Sequence, residues 1–203
     1  MARSYTPTAM YRYGAMQKAG GAGSISGDPR ADASTGELLA FEGYTEPSTL
    51  VTGDAGVDRW SQNTPNIIVD DANACTRSFN TASGDDNGID ILKLAKKIPD
   101  GLTIDGIQIE IRRYAPVGTV VDTTVQLIIA GSLAGDNNAD AITAWSNVGT
   151  ETILYGNATE KWGLTPTFTQ LNADDFGMTF QANFTAGGSL GSCDFIGMRV
   201  WFS

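Results

Sequence analysis

The chain has 203 residues and no histidine. That absence removes the Ser-His-Asp triad, histidine-paired cysteine nucleophiles, imidazole general acids and histidine-ligated zinc. Cysteine is nearly absent too. Cys75 and Cys193 cannot build a four-thiolate zinc site and are too few for a disulfide framework. Each lies in a strand-like segment where a small buried hydrophobe serves the core, so buried free thiols are expected, with a bridge between neighbouring strands as the alternative. No apolar run approaches the roughly 20 residues that span a bilayer, and the first residues lack the continuous apolar core of a secretory signal. The glycine-rich run Gly20 to Gly27 lacks the Gly-Lys-Ser/Thr ending of a phosphate loop. Charged residues are sparse at 18%, which disfavours long, salt-laced helices.

What is present is glycine, 24 residues of it, and a hydrophobic fraction of 41%. This suits a well-filled core of short strands joined by tight turns. The net charge of -10 is unevenly spread. Residues 1 to 27 hold Arg3, Arg12 and Lys18 and no acid, a net of +3, whereas residues 28 to 203 hold 23 acids against 10 bases, a net of -13. Such a body repels nucleic acid and anionic membrane, because phosphate tracking needs clustered Lys and Arg. The basic segment also contains Tyr5, Met10, Tyr11, Tyr13 and Met16 ahead of a small-residue run, and aromatic and arginine side chains are enriched at interfaces. Arg3, Tyr5, Met10, Tyr11, Arg12, Tyr13 and Met16 are therefore the candidate partner-binding residues; a disordered tail is the competing reading. The division expected is an arm and linker over 1–59 and a β-domain over 60–203.

From Trp60 onward short apolar runs alternate with Gly, Asn, Asp and Pro, the spacing of a sandwich. Strands are predicted near 66–70, 74–80, 88–95, 104–114, 120–130, 151–155, 176–184 and 193–202. The clearest stretch runs from Ile98 to Ile111. There Pro99-Asp100-Gly101 supplies a turn, and Ile107, Ile109 and Ile111 then alternate with polar partners. Ile91, Leu94, Ala95 and Ile98 also fit a helical period; the turn and strand that follow favour a hairpin instead. The predicted core faces are Val121, Thr123, Val125, Leu127 and Ile129; Met178, Phe180, Ala182 and Phe184; and Ile196, Met198, Val200 and Phe202. The fold class expected is all-β, a two-sheet antiparallel β-sandwich of jelly-roll type with an extended N-terminal arm.

Candidate chemistry is thin. Asp70-Asp71, Asp85-Asp86 and Asp174-Asp175 are adjacent pairs, which point to opposite faces of a strand and make poor catalytic dyads. With Asn73, Asn87 and Asp90, the first two pairs offer oxygen ligands for calcium, but none matches an EF-hand loop, and solvated turns explain them better. Of Trp60, Trp145, Trp162 and Trp201, Trp201 alternates with the core face of the last strand and is the candidate glycan contact. Asn157-Ala-Thr159 and Asn183-Phe-Thr185 fit the glycosylation sequon, a short and common pattern with no secretory route beside it. No catalytic residue, metal site or cofactor is expected, and the chain is not expected to be an enzyme.

The blocks Ile98-Pro-Asp-Gly-Leu-Thr-Ile-Asp-Gly-Ile-Gln-Ile-Glu-Ile-Arg112 and Val121-Asp-Thr-Thr-Val-Gln-Leu-Ile-Ile-Ala-Gly131 resemble a β-sandwich domain recurrent in tailed-bacteriophage virion proteins. So do Gly135-Asp-Asn-Asn138, Glu151-Thr-Ile-Leu-Tyr-Gly156, Trp162-Gly-Leu164, Asn172 with Phe176-Gly177, and Asp194-Phe-Ile-Gly-Met-Arg-Val-Trp-Phe202. The resemblance covers roughly residues 60 to 203. It implies a structural component of a virion, such as capsid decoration, a head fibre or spike component, or a tail appendage. That component would be made in the host cytoplasm and bind neighbouring capsid or tail subunits through the arm. A small cyclic homo-oligomer, with a trimer favoured, is the expected assembly. The alternative is a fibre-associated module that binds host-surface carbohydrate.

Overall fold

In the computed structural model, residues 38–39, 41–45, 67–68, 74–78, 84–85, 88–94 and 97–203 are described. Eleven strands and one short helix follow along them: β1 (Leu38–Leu39), β2 (Phe41–Thr45), β3 (Cys75–Ser78), β4 (Gly84–Asp85), β5 (Ile89–Leu94), β6 (Ile104–Val117), β7 (Val120–Ile129), β8 (Ser132–Ala134), β9 (Glu151–Asn157), α1 (Phe168–Leu171), β10 (Gly177–Phe184) and β11 (Leu190–Phe202). They form two antiparallel sheets. One runs β1-β11-β6-β9 with β3 also on β11, and the other runs β2-β5-β10-β7-β8 with β4 also on β10.

Local chemistry explains the main elements. Gly101 sits at φ +79°, so the Pro99-Asp100-Gly101 turn forms as expected, and Thr103 beyond it pairs with Ser203 through two backbone hydrogen bonds. β6 then buries Ile107, Ile109 and Ile111. Ile196, Met198, Val200 and Phe202 of β11, and Met178, Phe180, Ala182 and Phe184 of β10, are buried as predicted, and these sets meet in one core cluster fed by both sheets. Burial of each larger apolar side chain contributes about 1.5–3 kcal/mol. The stretch from Ile89 to Leu94 is a strand and not a helix.

Several features differ from the sequence-based expectation, among them the short unpredicted strands β4 and β8. Ile67-Ile68 forms a short 3₁₀ turn instead of a strand, in keeping with the turn-forming Pro65-Asn66 just before it. β1 and β2 add to the two sheets, so strand pairing begins well before residue 60. The single helical turn α1 is capped at Thr167 by a reciprocal pair of bonds with Gln170, a Thr-x-x-Gln capping box. Finally, β7 carries a bulge: its register against β10 shifts between Gln181/Ala182, with Gln181 opposite Thr124 and Ala182 opposite Asp122. Thr123 is thus the extra residue. Beyond it Val125 and Leu127 face the core, but before it the inward residues are Val120 and Asp122, while Val121 and Thr123 are only half-buried.

Candidate functional site

The bulge turns a carboxylate into the core. Asp122 is fully buried, and around it Arg113 (1% exposed), Trp145 (4%) and Tyr155 (5%) close the space between the sheets. The Arg113 guanidinium and the Tyr155 hydroxyl both donate to Asp122 Oδ2 in short contacts. The Trp145 indole N–H donates to Oδ1 at 2.9 Å. Arg113 Nη1 also donates to the Tyr155 oxygen at 2.8 Å, and its Nε reaches Glu151 at 3.1 Å. Arg113 lies over the Trp145 ring at 5.3 Å, and that ring stacks on Phe180 with centroids 5.8 Å apart.

The partners come from three strands and a loop. Arg113 ends the buried Ile107-Ile109-Ile111 series on β6, Tyr155 and Glu151 come from neighbouring β9, and Asp122 comes across from the other sheet. Trp145 lies in the loop between β8 and β9, whose backbone is pinned by Trp145 N–H to Val120 O and by Ala115 N–H to Ser146 O. Glu151 accepts a further bond from the Ser146 N–H. Burial raises the Tyr155 pKa, and the neighbouring Asp122 charge raises it further. Burial opposes the charge on Arg113, yet the Asp122 carboxylate and the other partners leave its pKa above the ordinary value. Arg113 and Tyr155 therefore hold their protons firmly, and the acceptor oxygens of Asp122 are taken by the chain's own donors. Chemically the cluster is a clasp that fixes β6, β7, β9 and the loop in one register. A buried ion pair adds little net stability against an apolar replacement, but losing one partner is costly.

A second polar group lies on the outer face of β6 and β11. Glu110 is bridged by Arg112 at 3.1 Å and Arg199 at 3.0 Å; Arg112 covers the Phe195 ring at 5.2 Å, and Arg199 also donates to Gln108. A shallow recess of about 210 Å³ opens beside Leu102, Ile104, Pro166, Phe168 and Lys161. It is smaller than the ~300–1,000 Å³ of drug-sized ligand sites.

The candidate partner-binding residues Arg3, Tyr5, Met10, Tyr11, Arg12, Tyr13 and Met16 lie outside the described residues, as do Trp60, Asp70, Asp71, Asn73, Asp86 and Asn87. Trp201 is partly exposed on β11, opposite Gly106, whereas Trp145 and Trp162 are core. Asp90 accepts from the Thr179 hydroxyl at 2.6 Å, and Asp174 lies 3.9 Å from Lys97. Among the described residues no group of three or more Cys, Asp or Glu is placed to hold a metal ion. Cys193 is buried, and its register partner on β3 is Cys75.

Sequence reasoning missed the clasp. Arg113 was available to it, since that residue continues the Ile107-Ile109-Ile111 alternation into a charge. Asp122 was not, because the bulge reverses which β7 residues face inward. Comparison with protein-family models, curated proteins and solved structures finds no match.

Proposed function

We propose that this chain is a non-enzymatic structural protein of a tailed-bacteriophage particle, a capsid decoration, head-fibre, spike or tail-appendage component. Its N-terminal arm would bind neighbouring virion subunits. The observation that carries this reading is the strand order. From β5 onward the chain passes back and forth between the two sheets, and their orders, β1-β11-β6-β9 with β3 on β11 and β2-β5-β10-β7-β8 with β4 on β10, support reading the body as an elaborated jelly roll. Jelly rolls serve viral capsids and lectins; the resemblance of residues 60 to 203 to phage virion domains favours the first. Fold alone does not assign function, so the charge pattern adds the second support: a basic, aromatic segment on an acidic body suits an arm that orders on a partner surface. A small cyclic homo-oligomer, with a trimer favoured, would also cover edge strands.

Quantitative mass spectrometry of purified particles tests the assignment. A fixed copy number is expected, with hundreds per particle indicating capsid decoration and a few to dozens a tail, collar or fibre component. Recovery of the protein only in the soluble lysate would overturn it. The second reading, a carbohydrate-binding module, draws on Trp201, a tryptophan left partly exposed on an outward strand face. It predicts that Trp201→Ala abolishes retention on host-surface glycan while particle assembly stays intact.

A further inference from the structure

We infer that β9 is the acceptor edge for the N-terminal arm of a second copy of this chain. β9 is the last strand of its sheet and, among the described residues, pairs on one side only, with β6. Ile107 turns its N–H to Glu160 O and its C=O to the Trp162 indole, so the odd-numbered β6 residues face β9 and Glu151, Ile153 and Tyr155 face back. Antiparallel alternation then directs the N–H and C=O of Thr152 and Leu154 outward. Both side chains are exposed as well, Leu154 by half. Edges are normally guarded by lysine, proline or an edge charge. Glu151–Asn157 contains no lysine or proline, and its single charge is drawn inward by Arg113 and the Ser146 N–H.

Charge and area choose the occupant. Two bodies of net -13 repel each other, and a contact of seven-residue strands is small beside the ~1,200–2,000 Å² of a stable interface. Residues 1 to 27 carry +3 and no acid. Ala9-Met10-Tyr11-Arg12-Tyr13 is a proline-free stretch within them that can add to the edge through main-chain hydrogen bonds, and the rest of the arm supplies area. β1, which the arm precedes in sequence, and β9 are opposite ends of one sheet order. Donor and acceptor are thus different segments, a head-to-tail arrangement that forms a ring where the rotation closes.

The inference rests on the reading of residues 1–27 as a partner-binding arm, not on the virion assignment. Sedimentation of the purified full chain across a wide concentration range, with hydrogen exchange on residues 151–157, tests it. The expected result is a closed oligomer in which β9 is protected. Deleting residues 2–27 and, separately, Thr152→Pro should each give folded monomers, since proline is tolerated where the N–H faces away from the sheet. Mixing those two variants should restore a one-to-one complex, because each supplies what the other lacks. Leu154→Lys, which alters only an exposed side chain and guards the edge, should weaken assembly at least tenfold and covers a misfolded proline variant. A monomeric full chain, assembly that survives the arm deletion, or β9 protection in a monomer would each overturn the inference. If the arm deletion is lost from particles while Thr152→Pro still forms the closed oligomer, the arm anchors elsewhere and only this inference falls. If the oligomer forms as expected but the arm deletion still enters particles, only the anchoring role falls.

Discussion

Replacing Asp122 by alanine removes the one carboxylate that holds the two sheets' polar side chains together. It strands a guanidinium that is 1% exposed, together with the donors of Trp145 and Tyr155. Breaking a buried ion pair from one side costs about 3–5 kcal/mol, and orphaned neutral donors cost about 1–3 kcal/mol each when nothing compensates. These costs do not add, because Arg113 keeps Glu151 at 3.1 Å and Tyr155 keeps its bond from Arg113. A loss of about 4 kcal/mol is therefore expected. With a urea slope of about 2 kcal/mol/M, the unfolding midpoint falls by about 2 M at unchanged slope. Tryptophan fluorescence and far-UV circular dichroism should report it in the same transition. The triple variant Arg113→Met, Asp122→Leu, Tyr155→Phe leaves no fully buried charge, only the Trp145 N–H without its acceptor and the 26%-exposed Glu151 without its cation, and should unfold within ~2 kcal/mol of the parent. A single-variant loss below ~1 kcal/mol, or a triple variant as unstable as the single, would refute the clasp.

Three more outcomes follow from particular residues. Gly156 has φ +78°, and a Cβ there would lie 2.3 Å from Ile107 O and 2.9 Å from Trp162 Nε1; Gly156→Ala should cost about 2 kcal/mol and lower the thermal midpoint by about 4–8 °C. Asn172 bonds both the N–H and the C=O of Ile98, at 2.7 and 2.8 Å. Asn172→Ala should therefore lose about 1–3 kcal/mol in urea unfolding, with Asn172→Asp losing less because it keeps the acceptor. The Asp140 carboxyl is lowered from 3.8 to about 2 by hydrogen bonds from the Thr143 side chain and from the Thr143 and Ile142 backbone N–H groups. Its folded pKa being depressed, its contribution is fully present above 3.8 and is lost as the pH falls through about 2. The amide shifts of Ile142 and Thr143 should titrate with a midpoint near 2; a midpoint at the ordinary carboxylate value would contradict the loop geometry.

The strands of β6, β10 and β11 were legible because period-2 alternation and turn chemistry agree there, so burial and local propensity point the same way. Asp122 shows where that logic stops. One extra residue, Thr123, exchanges the inward and outward faces of β7, and such a bulge is a property of pairing with β10 that no single strand's pattern carries. The same holds for the partners of Asp122, which arrive from β6, β9 and a loop far apart in sequence. α1 went unread because a four-residue helix has too little periodicity to register, although its Thr-x-x-Gln cap was visible. Cys75 and Cys193 were read as strand cysteines, but that they stand opposite each other depends on a β3–β11 register that long-range pairing decides.

Under the proposed function the β-body supplies architecture and the arm supplies attachment. Measuring particle incorporation of the chain lacking residues 2–27, beside the intact chain, tests that division most directly. The variant is expected to keep the circular dichroism of the intact body yet disappear from purified particles. Unchanged incorporation would contradict the account, because attachment would then lie in the body itself.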